Sequence, residues 1–407
     1  MSKYLFSFFA LFVIFADELF LSYMSMMGIN VESGMKAFQA MGIAAIAYFL
    51  LLKDIVSHNL SRKNYMQLLS LIVVMLLYYS TQYFYPPGAA RSNYMAHFLS
   101  FGSLSIPACL IGIRLSSHKY NNEMMNLLPL FIVIVTVTVA PLVFLSSVTG
   151  NLLNGGDGSV FDYQNASYFL AFCFSYAAFY VLFCKNGHKS IYGKIAYLVM
   201  FVVMFVCAIG CLMGGGRGAF VYLVLIGIYL TYRSLKGKGH FNVRNIFSLV
   251  IITMVLLLLA NHYNIFESAG FVRVSESLTS DDSRADLWRK SMAAFKESPI
   301  LGNGLGSVWW TVGFYSHNIL SDLLSETGVI GTTIALVVLI KLFRKLTKLS
   351  DRSEFDMYML ILYIGCLVYI AFSCYWISFH KLFLIYGYVY GMSNVSLQYK
   401  NNQVMNR

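Results

Sequence analysis

The stretch IAYLVMFVVMFVCAIGCLMGGGRGAFVYLVLIGIYLTYR, Ile195–Arg233, carries one charge, Arg217, before it ends on Arg233. Two apolar runs, 191–212 and 218–233, meet in it with almost no loop between them. A run of about twenty apolar residues is what crosses the hydrocarbon layer of a membrane. It crosses as a helix, because only a helix satisfies its own backbone there. Gly214, Gly215 and Gly216 supply the turn. The stretch reads as a transmembrane helical hairpin with a lone arginine at its bend.

The same pattern repeats along the chain. Spans are expected at about 4–27, 36–53, 66–85, 95–114, 126–147, 167–184, 191–212, 218–233, 245–262, 327–343, 357–374 and 379–395. The 407 residues are 58% hydrophobic and only 12% charged, against about 25% charged in soluble domains. The expected fold is therefore all-α: a polytopic integral membrane protein of about twelve helices, one membrane domain over 1–407. The net charge of +11 is distributed by side of the membrane. With the N-terminus in the cytoplasm, most Lys and Arg fall in cytoplasmic segments, among them Lys185, Lys189, Lys236, Lys238, Arg344, Lys345 and Lys348. That is the positive-inside pattern, with both termini cytoplasmic, and no nucleic-acid partner is expected. The first span is too long for a cleavable signal and carries Asp17 and Glu18, so it is expected to stay as a helix. All seven cysteines lie in or at the ends of apolar spans without ligand spacing, as small packing residues do.

One connection is long: residues 263–326, between the ninth and tenth spans, on the outer side. Ser283 followed by Asp286 resembles a capping box, and RADLWRKSMAAFKE has no breaker before Pro299, so an amphipathic helix is expected. Arg284, Trp288, Ser291 and Phe295 share one face of it by spacing. In SPILGNGLGS, Gly302, Gly304 and Gly306 permit unusual backbone angles; the spacing is not that of a dinucleotide site. A second short helix, NILSDLLSET, leads through Gly328 and Gly331 into the tenth span.

Chemistry is expected where charge meets this outer surface. Arg217 follows a glycine run and starts a helix, and a helix N-terminus beside a guanidinium suits an anion. Gly215 and Gly216 could bring backbone N–H groups to the same ligand. The competing reading is an arginine that snorkels from a tight hairpin. Arg284 and Arg289 are two further phosphate-binding forks, or else members of surface ion pairs with Asp281, Asp282 and Asp286. His317, before Asn318 and near Asp322 and Glu326, suits proton exchange with a sugar hydroxyl, since imidazole titrates near pH 6.5. Intramembrane acids such as Asp17 and Glu18 mark either a function or a salt bridge between helices. Asp157, Asp162 and Tyr163 in GNLLNGGDGSVFDYQN could bind sugar, or the segment is an ordinary connector.

Three pieces in fixed order over Leu212–Gly331 carry a resemblance: GGGRGAF; an Arg-x-x-x-Trp helix followed by SPILGNGLG; and HNILSDLLSETGVIG. The last has His317, Asn318, nine residues, then Gly328 and Gly331. The chain resembles the bacterial O-antigen polymerases, in the superfamily that also contains the O-antigen ligases. The first two hundred residues match only in hydropathy and topology. The resemblance implies a membrane-embedded, GT-C-like, inverting glycosyltransferase needing neither metal nor cofactor, in the bacterial inner membrane with its site facing the periplasm. Its donor would be a glycan on undecaprenyl diphosphate. Arg217 and Arg284 would contact the diphosphate, and His317 would be essential. Arg289, Asn318, Gly215 and Gly216 are added as candidate substrate-binding residues. A chain-length regulator is a partner the family implies, besides membrane lipids. The ligase, which delivers the same glycan to lipid A–core, remains an alternative, as does a flippase for lipid-linked sugars. Against transport stands the absence of an evident two-fold repeat.

Overall fold

A computed structural model describes residues 2–27, 33–57, 62–86, 88, 90–148, 162–183, 191–234 and 283–405. Among them every regular element is helical, with no strand. Eight of the described helices are long and apolar enough to cross a membrane. The expected span at 245–262 lies outside the described residues.

The first expected span is instead two helices, α1 (Lys3–Ile14) and α2 (Ala16–Met26), with the break at Phe15. Helix α2 sets the fully buried Glu18 against Lys381. A charge lowered into a membrane interior requires such a partner. Next come α3 (Ser33–Val56), α4 (Arg62–Thr81), α5 (Ala90–Ser100) and α6 (Ile106–Leu115), with the π-helical turn Phe101–Ser105 joining the last two. A π-turn offsets the backbone ladder by one residue. Here the Gly102 carbonyl accepts from Tyr48 at 2.6 Å.

The hairpin forms as its sequence requires. Helix α9 (Ile191–Gly214) turns through Gly215, at φ 77°, into α10 (Arg217–Arg233). Helix α8 (Tyr163–Phe183) packs along both arms, and α7 (Asn121–Val148) lies across α8 and α9. At 17 residues, α10 falls short of the roughly twenty that span the hydrocarbon layer.

Beyond the undescribed stretch, α11 (Ser283–Glu297) packs on α12 (Ile319–Leu349). The expected short helix and tenth span are one element here. They are joined across a kink at Gly328, which takes φ 60° and ψ −166°. A Cβ at Gly328 would stand 2.4 Å from the carbonyl of Ile300, so the kink and its close approach both require glycine. Helices α13 (Glu354–Phe372) and α14 (His380–Met405) complete the bundle. The twelfth expected span lies within α14, whose tail SNVSLQYKNNQVM is polar.

Most buried apolar side chains form one core running from α1 to α14. A second, aromatic cluster gathers Tyr78, Tyr94, Trp309 and Tyr375 beside the loop after α11. At the end of the bundle away from that loop, Arg114 grips Asp54 through two 2.6 Å hydrogen bonds, and Arg233 pairs with Asp351 at 2.7 Å.

Candidate functional site

Phe372 and Ser373, where α13 stops, are the hub of one end of the molecule. Arg284, near the start of α11, donates from its guanidinium to the Phe372 carbonyl at 3.0 Å. Tyr315 donates its hydroxyl to the Ser373 carbonyl at 3.1 Å. The last carbonyls of a helix have no partner within it, so a helix end offers ready acceptors to both side chains.

Arg217 reaches the hub through its neighbours. The Gly216 N–H donates to Ser167 Oγ at 3.1 Å, which fixes the start of α10 against α8. A Cβ at Gly218 would lie 1.9 Å from Tyr168 Oη and 2.6 Å from Phe372 Cβ. The half-buried Arg217 therefore sits between two residues locked onto the same corner as Arg284.

His317 completes the group. Its ring lies 4.4 Å from that of Tyr315 and 5.5 Å from Phe314. Its backbone has φ 57°, a left-handed conformation that non-glycine residues seldom adopt outside constrained sites. What holds it is visible at the preceding residue. The Trp288 indole donates to the Ser316 carbonyl at 2.8 Å, and the Ser316 N–H donates to the buried Asp322 carboxylate at 2.8 Å. Burial, with Cys374, Asp162 and Asp322 nearby, pushes the Tyr315 phenol well up, while Arg284 opposes the shift. The phenol stays protonated and remains a donor to the helix end.

The structure thus brings Arg217, Arg284 and His317 to one corner, although up to a hundred residues separate them in sequence. The other candidates sit differently. Arg289 is exposed. Asn318 caps α12, its side-chain oxygen accepting from Leu320 and Ser321 at 3.0 and 3.3 Å. Gly215 makes the turn, and the Gly216 N–H is occupied by Ser167. Asp286 pairs with Lys290 at 2.9 Å, and that contact holds its carboxyl below the usual range. Asp162 accepts from the Asn165 N–H at 2.9 Å at the start of α8. The side chains of Asp17 and Ser283, and all of Asp157, His262, Asp281 and Asp282, lie outside the described residues.

On the expected shared face of α11, Ser291 is buried and donates to the Ser321 carbonyl at 2.9 Å. Gly302, Gly304 and Gly306 all take positive φ, at 73°, 99° and 83°. Their loop wraps Glu326, whose carboxylate accepts from the Gly306 N–H at 3.0 Å and from Tyr375 Oη at 2.6 Å.

Sequence reasoning missed Tyr315, Tyr168, Ser167 and the Phe372–Ser373 carbonyls. The only trace in the sequence is the broken run SCYWISFH after Phe372, where a helix has to end.

Fold and site define a polytopic helical membrane protein with two arginines and a histidine gathered at one end of its bundle. Residues 199–336 match the family described as Wzy_C, O-antigen ligase. Over those residues the match supports the O-antigen ligase/polymerase superfamily, whose activity is of the glycosyltransferase kind. No curated protein and no solved structure matches.

Proposed function

We propose that the chain is an O-antigen polymerase of the bacterial inner membrane, with both termini cytoplasmic and its site facing the periplasm. The growing glycan leaves undecaprenyl diphosphate for the non-reducing end of a newly arrived lipid-linked repeat unit. The observation that carries this reading is the meeting of Arg217, Arg284 and the constrained His317 at the end of α13.

In the transfer, an acceptor hydroxyl attacks the anomeric carbon and the bond from that carbon to the diphosphate oxygen breaks. The hydroxyl proton passes to His317, as a positioned general base allows. Negative charge builds on the departing diphosphate. Two fixed guanidiniums stabilise it most strongly where water is excluded, and their planar forks suit phosphate oxygens. Attack from the face opposite the leaving group inverts the anomeric centre.

A second reading has its own support, because the matched family is described by the ligase. Ligase and polymerase share the donor, hence the donor-binding corner, and differ in acceptor. The lipopolysaccharide banding of a deletion strain separates them. Loss of a polymerase leaves single-repeat-capped core. Loss of a ligase leaves bare core with polymer still on its lipid carrier, and that outcome would sink the polymerase reading.

A further inference from the structure

We propose that the chain binds a phosphate-bearing anion in a groove at the end of the bundle opposite the Arg217–Arg284–His317 corner, and that the headgroup of an anionic lipid fills it. The groove is a cavity of about 350 Å3 lined by Lys341, Leu342, Arg344, Lys345, Lys348, Val389 and Tyr390. That volume lies within the usual range of small-ligand sites, roughly 300–1,000 Å3. Four of its seven lining residues are cationic, and none is a carboxylate.

Two further observations give the groove its character. First, the cations are spaced i, i+3, i+4 and i+7, so they form one stripe on α12. Like charges at these spacings destabilise a helix, and an anion held among them reverses the sign of that interaction. The positive-inside pattern accounts for cations near this end of a span, but not for their convergence on one cavity. Second, the opposite wall is built to hold the stripe in place. Lys345 Nζ donates to the Val389 carbonyl at 2.5 Å and lies 5.6 Å above the Tyr390 ring.

The position within the fold favours a lipid as the source. From the kink at Gly328, which packs on the loop beside the site, to Lys345, α12 runs about 26 Å at 1.5 Å per residue. The hydrocarbon layer is about 30 Å thick. If the kink lies at one membrane surface, the groove lies near headgroup level on the other, where basic pockets between helices take anionic lipids.

The test uses the full chain in phosphatidylcholine vesicles, with phosphatidylglycerol added in one arm and sodium pyrophosphate in another. Thermal unfolding is read in each. Phosphatidylglycerol is expected to raise the melting temperature by several degrees, and K341Q/R344Q/K348Q should lose more than half of that shift. K341R/K348R, which keeps the charges, should retain it, and single R344Q serves if the triple variant does not fold. Protection by pyrophosphate that the same variants abolish would assign the groove to a soluble phosphate compound and uphold the shared chemistry. Equal protection of wild type and glutamine variants, or protection by neither ligand, overturns the proposal. None of these residues belongs to the catalytic corner, so failure here leaves the glycosyltransferase reading untouched.

Discussion

Arg114 and Arg284 are the same side chain at opposite ends of one bundle, held in opposite ways. Arg114 is clamped in two directions by the Asp54 carboxylate, and that contact cancels its charge. Arg284 donates to the Phe372 carbonyl, an uncharged acceptor at the end of α13. The first arrangement is a fastener between α3 and α6. The second sets the direction of a fork that, on the proposed function, meets a departing diphosphate. Which acceptor meets an arginine therefore says more about its task than its burial does.

The largest effect expected of any substitution is at His317. H317A should lower transfer by about 10²–10⁴-fold, the usual worth of a positioned base, and leave cells with single-repeat-capped lipopolysaccharide. A normal ladder of chain lengths, with the variant present in the membrane, rules out the role.

Lys381 extends the comparison into the bundle interior. K381M leaves Glu18 buried without its cation and should cost about 3–5 kcal/mol of stability, while E18L/K381M should recover most of it. Denaturation in detergent reads both. Equal stability of the wild type and K381M would show that the pair contributes nothing.

Arg217 and Arg284 test the idea of the aimed fork. R284Q should reduce turnover by about 10²–10³-fold, the cost of one preorganised donor to a developing oxyanion. R217K should also be impaired, since lysine keeps the charge and loses bidentate geometry. Full turnover in R217K, measured on purified protein with lipid-linked repeats, would make the fork dispensable.

The smallest effect on turnover belongs to the fastener. R114Q should lose about 1.5–3 kcal/mol of stability, the worth of hydrogen bonds to a charged group, with turnover unchanged. A drop in turnover comparable to that of R284Q would erase the contrast between the two ends.

Much of this was legible in the chain. A lone arginine in an oily run, a histidine before a helix start and an arginine one turn before a tryptophan each mark a local sequence event. The hub did not show, because Phe372 and Ser373 contribute carbonyls and every residue has one. Tyr315 and Tyr168 were hidden among 29 tyrosines, since only tertiary contact tells a hub tyrosine from a packing one. The break at Phe15 and the pairing of Glu18 just after it left no local mark: Lys381, the partner of Glu18, lies 363 residues further on. The joining of NILSDLLSET to its span went unseen because Gly328 reads as a stop, whereas the positive φ it permits lets the helix bend and continue.

The backbone at His317 carries one more consequence. A left-handed residue with a side chain sits roughly 1–2 kcal/mol above the ordinary conformation, whereas glycine takes that angle freely. H317G should thus yield an inert protein that melts at a higher temperature than the working one. Anyone screening this chain for toughness alone would be led toward dead variants at this position, so heat resistance and turnover have to be selected together.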